Sequence, residues 1–497
     1  MLRTRREFLG ASLGALAGAR AAAADAATRR GPGASDWSAL RHSLRGTLVR
    51  PGDSGYAQAK LVYDLRFEGA SPQAVAYCAS ASDVQRVVDF CRRWQVEPIP
   101  RCGGHSYAGY STGSGVIVDV GPMNGVSVDH GVATVGAGTR LADLYAALAA
   151  RGVLIPGGSC PTVGISGLAL GGGNGVVSRN FGLTADHLQS LQIVTADAGV
   201  LDPDASSHSD LYWASRGGGG RNFGIATSFR FRTSPVPPLA LFTIDYPWSA
   251  AGDLVGAWME WVRHAPDALW ANLQMLSAGS SGLIAKTTGV WCGSVSSLNA
   301  VLRQLTRAVG TPPTSTFSAP SGYLNTMLVE AGCAEITLAQ CHIEAPGRAG
   351  TLPRSTFTAK SAYFSSPPPP VVITDALEVA QHDLPGLGVA LAFDAFGGAI
   401  NRVAPAATAF VHRDAIAQLQ MVVTFSSAGQ YAAVRSWLGH AAAAIVPHSN
   451  GQAYQNYIDP TLANWRSAYY GSNLARLEAV RRRYDPDHLF NFTQAIP

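Results

Sequence analysis

The chain has 497 residues, 47% of them hydrophobic and 14% charged, which is enough apolar material for a large core and enough length for two or more domains. Its formal charge of +4 is carried by the first 30 residues, where Arg3, Arg5, Arg6, Arg20, Arg29 and Arg30 outweigh Glu7 and Asp25 by six to two, so the remainder is neutral. A neutral body whose longest basic run is the three arginines 481–483 offers no electrostatic footprint for nucleic acid or an anionic membrane, and a small molecule is the expected partner.

In chain order, TRREFLGASLGALAGARAAAADA joins a twin arginine to an apolar stretch and then to small residues. Residues 1–30 are therefore expected to be a twin-arginine signal peptide, with a secreted or extracytoplasmic bacterial location. The apolar stretch, Phe8 to Ala19, is shorter than the roughly 20 residues that span a bilayer, so no membrane anchor is expected. Export of an already folded protein favours a bulky cofactor inserted beforehand. After a linker near 31–36, SDVQRVVDFCRRW predicts a helix with Ser82 as N-cap and Gln85 closing a capping box; Val84, Val87, Val88 and Cys91 share one face. VEPIP and GVIVDV predict short strands around a glycine turn, and TRLADLYAALAARG predicts a second helix capped by its threonine, followed by the strand VLIPGG. This order is α+β rather than a simple alternation. LQSLQIVTADAGVL reads as a hairpin and IATSFRFRT as an exposed edge strand.

After PVPP the texture changes. Strands such as LFTIDYP, LIAKTTGVW, VALAFDAF and LQMVVTFSS alternate with helical runs at 251–264, 297–309 and 428–445, which predicts a second domain with a large antiparallel sheet and helices on one side. The four prolines 367–370 read as a rigid spacer, and the last segment as a helix over 461–483.

Seven cysteines, at 78, 91, 102, 160, 292, 333 and 341, form no metal-like CxxC pair, and their odd count leaves at least one thiol over, for which Cys160 is the candidate. Three glycine clusters lie in the first half: CGGHSYAGYSTGSG, PGGSCPTVGISGLALGGGNG and RGGGGRNFG. None is a GxGxxG between strand and helix and no GxxxxGK[ST] occurs, so neither a Rossmann dinucleotide site nor a P-loop is supported. Glycine alone is equally compatible with tight turns. Two reactive groups inside the clusters, His105 and, 55 residues later, Cys160, point to more.

The motifs RCGGHSYAGYS, GGSCPTVGISGLALGGGNGVVSRNFGL, DLYWASRGGGGRNFG, FDAFGGAINRV, YQNYIDP and RYDPDHLFNFTQAIP together resemble the berberine bridge enzyme-like branch of the vanillyl-alcohol oxidase flavoproteins. The resemblance implies the two-domain fold of that family: an FAD-binding domain over 40–235, a substrate-binding domain with an antiparallel sheet over 236–449, and a C-terminal segment, 450–497, returning to the FAD domain. It implies bicovalent FAD, 8α-histidyl at His105 and 6-S-cysteinyl at Cys160. Carried over with these are cofactor contacts from Arg101, Gly103, Gly104 and Ser106; from Gly158, Val163, Gly164, Gly167, Gly172 and Gly175; and from Ile225, Asn456 and Asn491. Arg221 stands where related sequences commonly have glycine.

In the family segment that YQNYIDP resembles, the second tyrosine deprotonates the substrate, which implies Tyr457 as general base, with Tyr107 and Asp394 in a hydrogen-bonded group around it. A free phenol titrates near 10, so such a base needs a helper, which the sequence does not identify. Val163, three residues after the tethered cysteine, matches relatives that react readily with O2. The resulting expectation is an FAD-dependent oxidase that turns a hydroxyl of a sugar or glycosylated secondary metabolite into a carbonyl and reduces O2 to H2O2. The alternatives are oxidation of a quinone, hydroquinone or alkaloid-like antibiotic in biosynthesis or self-resistance, or antibiotic sequestration without catalysis.

Overall fold

The computed structural model describes residues 31–278 and 282–497; the expected signal peptide lies outside them. Two compact units result, Met1–Leu44 and Arg45–Pro497. The first contributes one described helix, α1 (Ala34–Ser43). No helix among the described residues is long and apolar enough to cross a membrane.

The second unit carries three principal sheets. The first has strands β1 (Thr47–Val49), β2 (Ala74–Tyr77), β3 (Pro98–Arg101) and β4 (Val116–Asp119) in the order β1-β2-β4-β3, with β4 parallel to both β2 and β3. The central strand β4 is apolar up to Asp119 and buried along its whole length, as a strand covered on both faces must be. Between β2 and β3 runs α2 (Ala81–Trp94), whose Val84, Val87, Val88 and Cys91 are buried. The cap is Ser80, not the expected Ser82: the Asp83 amide donates to Ser80 Oγ at 3.2 Å. Asp83 is fully buried and accepts from the amides of Arg45, Gly46 and Ala79, which fixes the helix start two residues earlier. Gln85, free of any capping box, donates to the Ala198 carbonyl at 3.0 Å.

The second sheet, β5 (Val126–Asp129), β6 (Val132–Gly136), β7 (Leu188–Val194), β8 (Val200–Leu201) and β9 (Ile225–Arg232), is antiparallel in the order β5-β6-β9-β7-β8. The hairpin of β7 and β8 forms as the sequence predicts. β9 is central, not an edge: Phe229 and Phe231 are fully buried while Arg230 and Arg232 are exposed, so alternation there reports one solvated face rather than a free edge.

The third sheet is antiparallel and seven-stranded. Its strands are β10 (Leu239–Tyr246), β11 (Leu269–Ala278), β12 (Leu283–Cys292), β13 (Ser315–Ser321), β14 (Phe357–Phe364), β15 (Gly388–Ala395) and β16 (Ala417–Thr424), in the order β13-β10-β12-β11-β15-β16-β14. One face is core: Leu269, Leu273, Met275, Leu391, Phe393, Leu419 and Met421 pack with residues of the helices Ala251–His264, Val295–Val309, Pro370–Asp383 and Tyr431–Ile445. Each such buried side chain contributes about 1.5–3 kcal/mol of hydrophobic transfer. With period-two alternation the other face must then carry Trp270, Asn272, Gln274, Asp394, Gln418 and Gln420. Pro370 opens a helix at its first position instead of ending a spacer, where a missing N–H is no loss. The expected helix over 461–483 is two, Trp465–Tyr470 and Leu474–Tyr484, broken at Gly471 with φ +47°.

Candidate active site

A cavity of about 510 Å³ lies between the glycine-rich turns and the polar face of the third sheet. The first turn, which links β3 to β4, leaves Arg101, whose Nε donates to Asp119 Oδ2 at 2.5 Å, with both residues buried. The second turn precedes the short helix Ile165–Leu170. They press back to back: a Cβ on Gly103 would stand 2.5 Å from the Gly164 amide nitrogen, and one on Gly164 would overlap the Cys102 sulfur. Backbone cannot yield there as a side-chain tip can, so both positions require glycine.

The second turn is also pinned to the helix Leu141–Ala149, whose Leu141 and Ala142 amides donate to the carbonyls of Val163 and Pro161. Loop carbonyls thus satisfy donors that a capping side chain would otherwise take; the expected threonine cap, Thr139, donates to the Gly136 carbonyl instead.

These constraints bring His105 and Cys160 to one cavity. His105 stacks on Tyr63 at 4.0 Å, and its Nε2 lies 2.9 Å from Thr162 Oγ1. Burial, then the nearby Arg140 charge, lowers its imidazole to about 3, so it is a neutral nucleophile. Cys160 is exposed on the cavity wall, yet the protein mass around it and then the Asp394 charge raise its thiol above the ordinary cysteine value. Of the other cysteines, Cys333 and Cys341 form a disulfide, and Cys78, Cys91, Cys102 and Cys292 are free thiols.

Tyr457 ends the short turn Gln455–Tyr457. The Asn456 amide donates to the Leu168 carbonyl at 3.1 Å and to Tyr454 Oη at 2.8 Å; Tyr454 Oη in turn accepts from the Gly173 amide at 3.1 Å. Gln455 donates to the carbonyls of Gly171 and Gly217. So held, the Tyr457 ring lies parallel to Tyr107, centroids 5.2 Å apart, and Tyr107 Oη accepts from Gln420 Nε2 at 2.8 Å. Burial first, then Tyr107 and Asp394, raises Tyr457 well above 10. The group able to take a proton is Asp394, raised by burial to about 6 and holding one bond, from Asn272 Nδ2 at 2.6 Å.

Of the positions expected to contact a cofactor, Arg101, Gly103, Gly104, Ser106, Gly158, Val163, Gly164, Gly167, Gly175, Ile225 and Asn456 line the cavity with His105 and Cys160, as do Tyr107, Asp394 and Tyr457. Two do not. Gly172, φ +114°, is set against the Phe410 ring, where a Cβ would come within 2.5 Å, so its glycine serves packing. Asn491 meets the cavity through a lining residue: its carbonyl accepts from Arg221 Nη2 at 3.0 Å. Arg221 itself has φ +65°, the left-handed region that glycine favours, and pairs with Glu97. Missed in the sequence were Trp270, Asn272, Gln274, Glu330 and Gln420, all on the cavity wall. Polar residues two apart in LWANLQMLSA and AQLQMVVT were the available signal.

The lining fits a flavin nucleotide. Asn174 Oδ1 and Arg221 Nε, both on lining residues, are buried with no hydrogen-bond partner among the described residues, which is the signature of a site completed by a polar ligand. Glycines that no side chain could replace surround two nucleophiles of suitable chemistry.

Comparison with known proteins agrees. Residues 72–202 match the family described as FAD binding domain, and residues 453–497 the family described as berberine and berberine like. The chain is 30% identical over 462 residues to the FAD-linked oxidoreductase YgaK of Bacillus subtilis (strain 168), covering 91% of this chain and 97% of that one. It is 29% identical to the xylooligosaccharide oxidase of Thermothelomyces thermophilus (strain ATCC 42464 / BCRC 31852 / DSM 1799), over 86% and 87% of the two chains. Among solved structures, BBE-like 1 of Physcomitrella patens superposes with TM-score 0.84 at 32% identity, over 93% and 98%. The chain, an α+β protein with its nucleophiles and its tyrosine pair on one cavity, belongs to the berberine bridge enzyme-like family of FAD-linked oxidoreductases.

Proposed function

We propose that the protein is an oxidase that converts a hydroxyl-bearing carbon of a sugar or glycosylated secondary metabolite to a carbonyl, with FAD bonded at both His105 and Cys160 and O2 reduced to H2O2. FAD, when bound, supplies the hydride acceptor. The observation that carries the reading is the stacked pair Tyr107 and Tyr457 on the cavity that also holds Asp394 and both nucleophiles.

Tyr457 is neutral at pH 7, so its Oη takes the substrate hydroxyl proton only as it gives up its own. Asp394, largely ionised at neutral pH with its pKa of about 6, is the acceptor that draws that proton on. Gln420 fixes Tyr107, and Tyr107 fixes the plane of Tyr457. Bicovalent attachment is supported by the neutral imidazole of His105 and by a cavity-facing Cys160. Val163 on the wall supports access for O2. The twin arginine in residues 1–30 supports an extracytoplasmic location.

A screen of sugars and antibiotic glycosides for peroxide release, repeated with Tyr457→Phe, tests the reading. A substrate oxidised by the wild type and lost on that substitution is expected; a substitution without effect removes Tyr457 from the chemistry.

A further inference from the structure

The sheet side of the cavity carries two carboxyl groups, and its other lining residues there are Trp270, Asn272, Gln274, Ala392 and Gln420, none of them cationic. Strand register lays these out in two adjacent rows on one face. Asn272 opposes Asp394, which opposes Gln418; Gln274 opposes Ala392, which opposes Gln420. Glu330 reaches the same wall from the last residue of the helix Tyr323–Glu330, where the helix dipole disfavours an anion. Among the described residues it has no hydrogen bond or ion pair. Lys286, opposite Gln274 across β12 and β11, is the nearest cation in register and makes no ion pair with it.

Two further groups on this wall lack partners. Trp270, 6% exposed, has an unpartnered indole Nε1, and Asn272, 9% exposed, an unpartnered Oδ1. A buried donor, a buried acceptor, an aromatic face and an unpaired carboxylate on one wall define a ligand with its own polar groups and a positive charge. Burial, and second the Asp394 charge, raises Glu330 to about 7, with the Lys286 charge opposing them only in part.

We propose that Glu330 is a specificity-determining residue, and that the substrate is a glycoside carrying a protonated amine, which Glu330 binds while Trp270 and Asn272 orient the ring that bears it. The proposal rests on the sugar-oxidation reading for the glycoside and on this wall for the amine. An ammonium held there has its charge answered by Glu330, and its hydroxyls meet Trp270 and Asn272. A neutral sugar leaves Glu330 unanswered.

Anaerobic titration of the flavin absorbance of the holoenzyme tests it, with the free-amine disaccharide of glucosamine, its N-acetylated counterpart and cellobiose as probes. The free-amine probe is expected to bind about 10-fold more tightly than either neutral one, and Glu330→Gln to erase the difference. Equal affinities in the wild type, or a preference that survives Glu330→Gln, overturn it; the wild-type comparison decides even where the variant fails to fold. Peroxide release is read separately. A binding preference without turnover of any probe leaves the Glu330 role standing and counts against the sugar-oxidation reading, and turnover without preference does the reverse.

Discussion

Tyr107 and Tyr457 stand face to face, 5.2 Å between centroids and 8° from parallel, although 350 positions separate them in the chain. Burial pushes both phenols above the ordinary tyrosine value. In the reaction proposed above, proton removal at this pair draws on Asp394. We expect Tyr457→Phe to lower kcat/KM by about 10²–10⁴-fold with flavin content unchanged, measured by peroxide release normalised to flavin absorbance.

A pH dependence follows from Asp394. Its folded pKa, about 6, lies above the ordinary 3.8, and it accepts a proton only when ionised, so kcat/KM should rise with pH through about 6. Asp394→Asn should remove that limb from the profile. For stability the sign is opposite. A carboxyl whose folded pKa is raised contributes stability below its unfolded value and loses it as pH rises through the folded one. Asp394→Asn is therefore expected to stabilise the fold by about 1–2 kcal/mol at neutral pH and by nothing near pH 4, seen by thermal unfolding at both.

The attachment of the flavin is testable by intact mass under denaturing conditions. His105→Ala and Cys160→Ala should each retain the added FAD mass through the remaining bond, and the double variant should lose it. Retention in the double variant would place the attachment elsewhere.

Gly103→Ala should fail for a steric reason. Its Cβ would meet the Gly164 backbone at 2.5 Å, and separating the two turns would misplace His105 relative to Cys160. A loss of about 1–3 kcal/mol with reduced flavin incorporation is expected, whereas Gly220→Ala, with nothing within 4 Å of its Cβ, should leave folding unaffected.

Lys360 anchors the segment that carries Tyr457. Its Nζ donates to Asp459 Oδ2 at 2.6 Å and to Thr461 Oγ1 at 2.7 Å, and the Asp459 amide donates to Tyr469 Oη at 2.8 Å. Lys360→Met should lower kcat several-fold while leaving KM and the mass of bound flavin as they are, since the anchor orients the phenol and touches neither ligand.

Much of this site was legible because its chemistry is local. His105, Cys160 and Tyr457 each sit in a short motif, and glycines around the first two announced close backbone approach. The strands and helices after PVPP were legible for the same reason, since each carries its own period. What depended on distant partners was not. Ser80 caps its helix because Asp83 turns to the amides of residues 45, 46 and 79, and β9 is central because β6 and β7 flank it, relations that no window of sequence contains. Glu330 was hidden in YLNTMLVE, an ordinary amphipathic run, and reaches the cavity only through the placement of its helix. Gly172 misled because its motif is rich in glycines of two kinds, those that border the cavity and those that make room for an aromatic ring.

The third sheet keeps its apolar packing on one side and its recognition groups on the other, so the two can vary independently. Exchanges at Gln274 or Ala392 would alter what the enzyme accepts without disturbing the hydrophobic layer beneath, and the tyrosine pair is borne by other segments altogether. A lineage of such proteins can thus drift from one substrate to the next through single substitutions on a few strands, while its redox machinery stays intact.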